Sequence, residues 1–327
     1  MSDTEREEGM LEKLTRTAAL CLGFMPALAA ADYPDHPITL VVPYPAGGTI
    51  DRLGRDLAEH LSTRLGEAVI VENQAGGNGA VGAQDVRDAE PDGYTLLIGG
   101  GSTHSVGPAT DPNLTYDPIG DFTPVAYLGD TPMVLTSGPN FEAETFAEMV
   151  ALAKDSPDGL LYGSVGNSTV LAGELLSDAA GVEMRHANYK QFGPALIDLV
   201  RGDIPVAISS LSIVIGNIQQ GMVRPLAVTS RERPATLPDV PAVAETYPGF
   251  EVLIWFGLFG PKDLPDEIAD KLNAEVAAFG ATEGQGQKWQ EEAFTLRQRS
   301  RQDFAAYLAA DLAKWNAIAA EAGLGKQ

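Results

Sequence analysis

The 327-residue chain is 44% hydrophobic and 20% charged, enough for two ordinary domains whose cores need neither a disulfide nor a structural metal. Its formal charge of -23 excludes the basic stripe that binding a nucleic acid or an anionic membrane surface requires. It does not exclude a small anion, which local dipoles can hold whatever the net charge.

Lys13 and Arg16 precede an apolar stretch from Ala18 to Leu28 and the small-residue run Ala29-Ala30-Ala31. That order predicts a secretory signal peptide over residues 1–31, cleaved between Ala29 and Asp32. The apolar run is shorter than the roughly 20 residues of a spanning helix. Translation could begin at Met1 or at Met10. Cleavage removes Cys21, the only cysteine, and bulky Leu20 before it argues against a lipid anchor. The mature chain is then exported, with no thiol chemistry.

Ile38 to Pro43 is a continuous apolar run, as expected of a strand buried on both faces, and the loop Tyr44 to Asp51 follows. Ile50, Leu53, Leu57, Leu61 and Leu65 then recur at helical spacing until Gly66 stops the helix. A strand at Ala68 to Val71, a Gly-rich turn, a short helix near Val81 to Ala89 and a buried strand at Tyr94 to Ile98 complete the first run. Val125 to Leu128 predicts a fourth strand, interrupted by Asp130-Thr-Pro132 before Met133 to Thr136.

The pattern then repeats. A helix carries Phe146, Met149, Val150 and Ala153, and strand Leu160 to Gly163 leads through Ser164 to Thr169 into a helix with Leu171, Leu175 and Leu176. Strand Met184 to Asn188, a helix from Pro194 to Val200, and strands Ile204 to Ser209 and Pro225 to Thr229 follow. Strand Val252 to Phe259 comes after a Pro-rich connection. Pro265 is expected in the first turn of one closing helix, and Phe304, Leu308, Leu312, Trp315 and Ile318 face the core from the last.

Strand-helix alternation predicts two doubly wound α/β domains with right-handed crossovers. The expected boundaries are residues 32–130 plus 252–327 for domain 1 and 131–230 for domain 2, with 231–251 on the hinge side. Ligands of open parallel sheets bind at the carboxyl ends of the strands, here facing an interdomain cleft.

Several motifs suggest chemistry. Gly77-Asn-Gly79-Ala-Val-Gly82 matches a dinucleotide fingerprint, but follows the second strand and has no acidic residue placed for a ribose. Close helix–strand packing explains it better. Ser102 and His104 do not form a nucleophile elbow, because position 104 is not glycine. The four histidines show no metal spacing, so neither metal nor cofactor is expected. What remains is three Gly- and hydroxyl-rich loops, each immediately before a helix: Tyr44 to Asp51, Gly99 to Ser105 and Gly166 to Thr169. Helix N-termini offer unpaired N–H groups to an anion, and three at one cleft favour anion binding over ordinary capping.

Tyr33-Pro-Asp-His-Pro-Ile38, Pro43 to Asp51, Val71-Glu-Asn73, Pro91 to Leu96, Tyr116-Asp-Pro118, Leu226 to Ser230, Leu237 to Pro241 and Trp255 to Phe259 stand in the order of one family. In these motifs the chain resembles the solute-binding proteins of tripartite tricarboxylate transporters, the Bug family. The likeness runs from about Tyr33 to the C-terminus. It implies a periplasmic flytrap of the type II binding-protein kind, not an enzyme. Such a protein closes as a monomer on a small organic carboxylate and delivers it to membrane permease subunits. Carried over by position, the ligand-binding residues are Tyr44, Gly47, Gly48, Thr49 and Asp51, then Ser102 and Thr103, then Gly166, Asn167, Ser168 and Thr169, with Tyr189 and Ser209 beyond.

The chain departs from the family in places. Thr49-Ile50-Asp51 stands where Gly-Thr-Asp is frequent, and the Gly166 to Val170 loop is about two residues short. Gln191-Phe192 follow Lys190 where a glycine is usual, and Ser209 replaces a common acidic residue. These leave the identity of the carboxylate open. A binding partner of a membrane sensor would share the same pocket, and a hydrolase on this architecture would need a His–acid pair that the cleft residues do not supply.

Overall fold

The computed structural model describes residues 33–324. The chain divides into Met1–Asp35 and His36–Gln327, and only residues 33–35 of the first piece are described. The expected signal peptide, its cleavage region and Cys21 lie outside the described residues.

From His36 onward, apolar strands alternate with amphipathic helices. The first run is β1 (Ile38–Val42), α1 (Thr49–Leu65), β2 (Val69–Asn73), α2 (Ala80–Arg87), β3 (Thr95–Gly100), and the short α3 (Gly101–His104) and α4 (Val106–Thr110). The long strand β4 (Phe122–Ser137) leads into the second run: α5 (Phe146–Asp155), β5 (Leu160–Val165), α6 (Asn167–Ala180), β6 (Met184–Tyr189), α7 (Phe192–Arg201), β7 (Val206–Ser210), α8 (Leu211–Gln219) and β8 (Arg224–Val228). After the short α9 (Val243–Thr246), β9 (Leu253–Pro261) returns. Then α10 (Asp266–Ala281), α11 (Gln285–Glu291), β10 (Thr295–Leu296) and α12 (Arg301–Glu321) close the chain.

One hydrogen-bonded path, β2-β1-β3-β9-β4-β7-β5-β6, connects the strands, with β8 and β10 also pairing β4. It resolves into two halves of the same order. In the first, β2, β1 and β3 are parallel, and β9 runs antiparallel between β3 and β4. In the second, β6, β5 and β7 are parallel, and β4 runs antiparallel between β7 and β8. Each half thus takes one strand from the chain's passage to or from the other, making two α/β lobes joined by β4 and by the segment leading to β9.

β4 corrects one expectation. Asp130-Thr-Pro132 does not interrupt it. Pro132, which has no N–H to donate, is the last β4 residue paired with β9, opposite Leu253; from Met133 the strand pairs with β7. The missing donor falls where the strand changes partners. Asp130 is buried but satisfied, accepting from Tyr127 Oη at 3.0 Å and Arg297 Nε at 2.8 Å. Pro265 also differs: it caps α10 from one position before the first turn, its carbonyl accepting the Ala269 N–H at 3.0 Å.

The core of the first lobe gathers Val41, Leu97, Phe122, Trp255, Phe259 and Phe304. Two clusters serve the second, one around Val134, Leu199 and Val214, the other around Met133, Phe146, Tyr162 and Leu176. The GxGxxG match proves to be packing: a Cβ on Gly82 would stand 3.1 Å from side-chain atoms of Pro43 and Val41.

Candidate functional site

Four parallel strands point their carboxyl ends at one cavity. From the first lobe, β1 leads to Tyr44 and β3 to Gly101 and Ser102. From the second, β5 leads to Ser168 and Thr169, and β7 to Ser209 and Ser210. The cavity has a volume of about 260 Å³, and β4 and β9 supply its apolar walls through Met133 and through Leu253 to Phe256. A second cavity of about 520 Å³ adjoins it, shares Tyr44, Ser210, Ile213, Ile254 and Phe256, and is bounded by the start of α1.

The two lobes present different kinds of polar group. In the first, Tyr44 Oη and Ser102 Oγ are 2.8 Å apart and hydrogen-bonded. Desolvation pushes the Tyr44 phenol up to about 12, so it stays protonated as a donor. In the second, α6 and α8 begin without a side-chain cap, and their first-turn N–H groups have no acceptor within the helix. The α6 turn is entered through Gly166 at φ 76, a conformation costly for any residue with a Cβ. Ser209 Oγ, on a residue only 4% exposed, has no hydrogen-bond partner. An unpaired buried hydroxyl is costly, and one lining a cavity beside two uncapped helices is suited to an anion. α5 and α12 are capped by Thr145 and Ser300, but α1, α2, α7, α10 and α11 also begin without a side-chain cap, so the unpaired Ser209 hydroxyl is what distinguishes this wall.

Of the residues expected to bind ligand, Tyr44, Ser102, Ser168, Thr169 and Ser209 line the first cavity. Gly48, Thr49 and Asp51 line the second. Asp51 is internally engaged: it accepts from the Gly47 N–H at 2.8 Å, Asn73 Nδ2 at 2.9 Å and Arg55 Nε at 3.1 Å. Burial works to raise its pKa, but these bonds and the Arg55 charge outweigh it and hold it at about 2. Gly47 serves through that bond and is outside both cavity walls.

The other expected residues are placed elsewhere. Thr103 is fully buried; its hydroxyl bonds Gly100 N at 2.9 Å and His104 Nδ1 at 2.7 Å, so it cannot touch a ligand. Gly166 and Asn167 lie outside the lining, and Asn167 Nδ2 instead donates to Thr110 Oγ1 at 2.9 Å. Tyr189 turns away and donates to Asp198 Oδ2 at 2.7 Å. Burial, with that bond and charge, raises its phenol to about 12.

His104 does not polarise Ser102. It stacks on Phe259 with centroids 3.9 Å apart, and desolvation lowers its pKa to about 3, leaving it neutral. Sequence reasoning missed the α8 terminus, although Ser210 before Leu211, Val214, Ile215 and Ile218 is a capping residue before a helical repeat. It also missed Asp311, whose two oxygens accept from Trp255 Nε1 at 2.7 Å and Trp315 Nε1 at 3.1 Å, fixing two walls of the cavity. No local motif marks a partner 56 residues away.

Two α/β lobes, crossed by two strands and meeting at a cavity built from the carboxyl ends of their strands, define a bilobal solute-binding protein. The profile of the family described as "Tripartite tricarboxylate transporter family receptor" matches residues 53–324. A UPF0065 protein from the TAR-I ttuE-ttuC' intergenic region of Agrobacterium vitis is 39% identical over 254 residues, covering 76% of this chain and 72% of that protein. Among solved structures, R. palustris Rpa4515 with adipate is 33% identical at TM-score 0.79, covering 90% of this chain and 99% of that one. MatC from Rhodopseudomonas palustris with bound malate is 28% identical at TM-score 0.74, covering 88% and 99%. The chain therefore belongs to the tripartite tricarboxylate transporter receptor family, to which Bug-named proteins are also similar. Its relatives are solute-binding receptors, not enzymes.

Proposed function

We propose that the chain is a periplasmic receptor that binds a small organic carboxylate between its lobes and delivers it, as a monomer, to the membrane permease subunits of a tripartite transporter. The observation that carries this reading is the convergence of the uncapped α6 and α8 termini and the unpaired Ser209 hydroxyl on one cavity. Adipate and malate in the solved structures of relatives support it. Tyr44, Ser102, Ser168, Thr169 and Ser209 are the proposed contacts, with Gly48 and Thr49 beside them. Residues 32–130 plus 252–327 and residues 131–230 are the proposed domains, hinged through β4 and the 231–251 connection.

A thermal-shift screen of mono- and dicarboxylates tests the binding. A ligand at 100 times its dissociation constant adds about 2.7 kcal/mol. A folded protein that no acid in the panel stabilises would remove the reading. Small-angle scattering should show a smaller radius with the stabilising acid. Loss of that acid's uptake on deletion of the gene, with N-terminal sequencing of the exported protein, tests delivery and export.

A further inference from the structure

We propose that the free edge of β6 is a docking surface for an extended acidic segment of a partner protein, which adds to the sheet as a further strand. β6 ends the hydrogen-bonded path on the second lobe and is paired on one side only, with β5. The Leu160 N–H donates to the Glu183 carbonyl at 2.9 Å, and in the parallel register that follows, Arg185, Ala187 and Tyr189 turn their backbone groups toward β5. Met184, His186 and Asn188 therefore turn theirs outward. A row of unpaired N–H and C=O groups is a template for another strand.

The charge on this edge defines the kind of strand it takes. The chain has 45 acidic and 22 basic residues, and many of its cations are ion-paired: Arg55 with Asp51, Arg64 with Glu275, Arg233 with Glu245, and Arg301 with Asp266 and Asp270. Arg185 on β6 and Lys190 directly after it are exposed and, among the described residues, in no ion pair. The strand itself carries no Asp or Glu. Glu183 stands before it begins, and Asp198 on α7 is taken by Tyr189 Oη at 2.7 Å. Two copies of β6 would bring like charges onto one short ladder, whereas an acidic strand would pair with them. The opposite edge of the path is different. β2 carries Glu72 and no cation, and its last residue, Asn73, is tied to Asp51 and to the Tyr44 carbonyl. Phe192, just past Lys190, lines the 260 Å³ cavity, so a strand seated on β6 ends beside the cavity wall.

Amide exchange followed residue by residue by NMR tests the surface. The probes are a soluble strand-forming peptide of alternating Thr and Val bearing Glu and Asp, and the same peptide with Lys in place of both acids. The acidic peptide should slow exchange at Met184, His186 and Asn188, leave Val69, Val71 and Asn73 on β2 unchanged, and bind about tenfold tighter than the Lys peptide. Arg185→Glu combined with Lys190→Glu, both at exposed positions, should reverse that order. No slowing with the acidic peptide overturns the docking surface, and equal slowing on β2 overturns its assignment to β6. Equal binding of the two peptides, or an order unmoved in the folded double variant, overturns the acidic partner. Slowed exchange at the same amides on concentrating the chain alone gives the edge to a second copy and also overturns the proposal. If the double variant does not fold, the two peptides on the parent chain decide alone.

Discussion

The two lobes build their halves of the cavity from the same strand order but finish them differently. In the first lobe the loop after β1 is tied down by its own side chains: Asp51 holds Gly47, Arg55 and Asn73, while Tyr44 is bonded to Ser102. In the second, the loops after β5 and β7 run into uncapped helices, and Ser209 has no partner at all. Helix α1 of the first lobe also begins without a side-chain cap, so the difference lies in the side chains: those of the first lobe are engaged with one another, and Ser209 of the second is not. Substitutions on the first side should therefore cost stability before affinity, and one at Ser209 the reverse.

The largest expected effect comes from acid. His104 has a folded pKa of about 3 against an ordinary 6.5, so the unfolded chain binds its proton first. Its contribution is complete above pH 6.5 and is lost as pH falls toward 3, at up to about 1.4 kcal/mol per pH unit. Urea unfolding across that range should show the slope, and His104→Gln should flatten it while leaving ligand affinity intact. Asp51→Ala comes next. It strands the Gly47 N–H, Arg55 and Asn73, and should cost about 3 kcal/mol together with a loss of affinity. In the parent, the depressed Asp51 pKa adds stability that is present above pH 3.8 and lost as pH falls through about 2.

Thr169→Val sharpens the contrast within the second lobe, because the Thr169 hydroxyl accepts from Val165 N–H and lies 3.0 Å from the carbonyls of Val165 and Gly166. It should cost about 1 to 2 kcal/mol in chemical denaturation. Ser209→Ala should leave unliganded stability within about 0.5 kcal/mol, since no bond is lost, yet weaken the stabilising acid about tenfold by calorimetry. If Ser209→Ala were as destabilising as Asp51→Ala, the contrast between the lobes would fail.

The halves of the fold were legible because strands buried on both faces read as apolar runs, and helices such as α1 end at a glycine, Gly66, in the left-handed conformation. Continuity of β4 was not, because proline usually marks a strand's end and the exchange of partners at Pro132 is a property of the assembled sheet. Helix α8 escaped for a local reason: it follows β7 with neither glycine nor proline between Ser209 and Leu211. In the site, hydroxyl-rich loops before helices were readable, and Ser102, Ser168, Thr169 and Ser209 reach the cavity. The direction of each side chain was not. Thr103 beside Ser102 points into the core to serve His104, and Tyr189 finds Asp198 on the neighbouring helix. Such choices depend on burial and on partners distant in sequence.

The Asp311 clamp has an optical consequence. The chain has three tryptophans, and Asp311 fixes two of them, Trp255 and Trp315, in the cavity wall. The third, Trp289, is fully buried outside both cavity linings. Intrinsic fluorescence therefore carries two emitters that meet the occupant and one that serves as an internal reference. Filling the cavity should change the emission of the first two without any attached dye, and Trp289→Phe should enlarge the fractional change by removing the constant background.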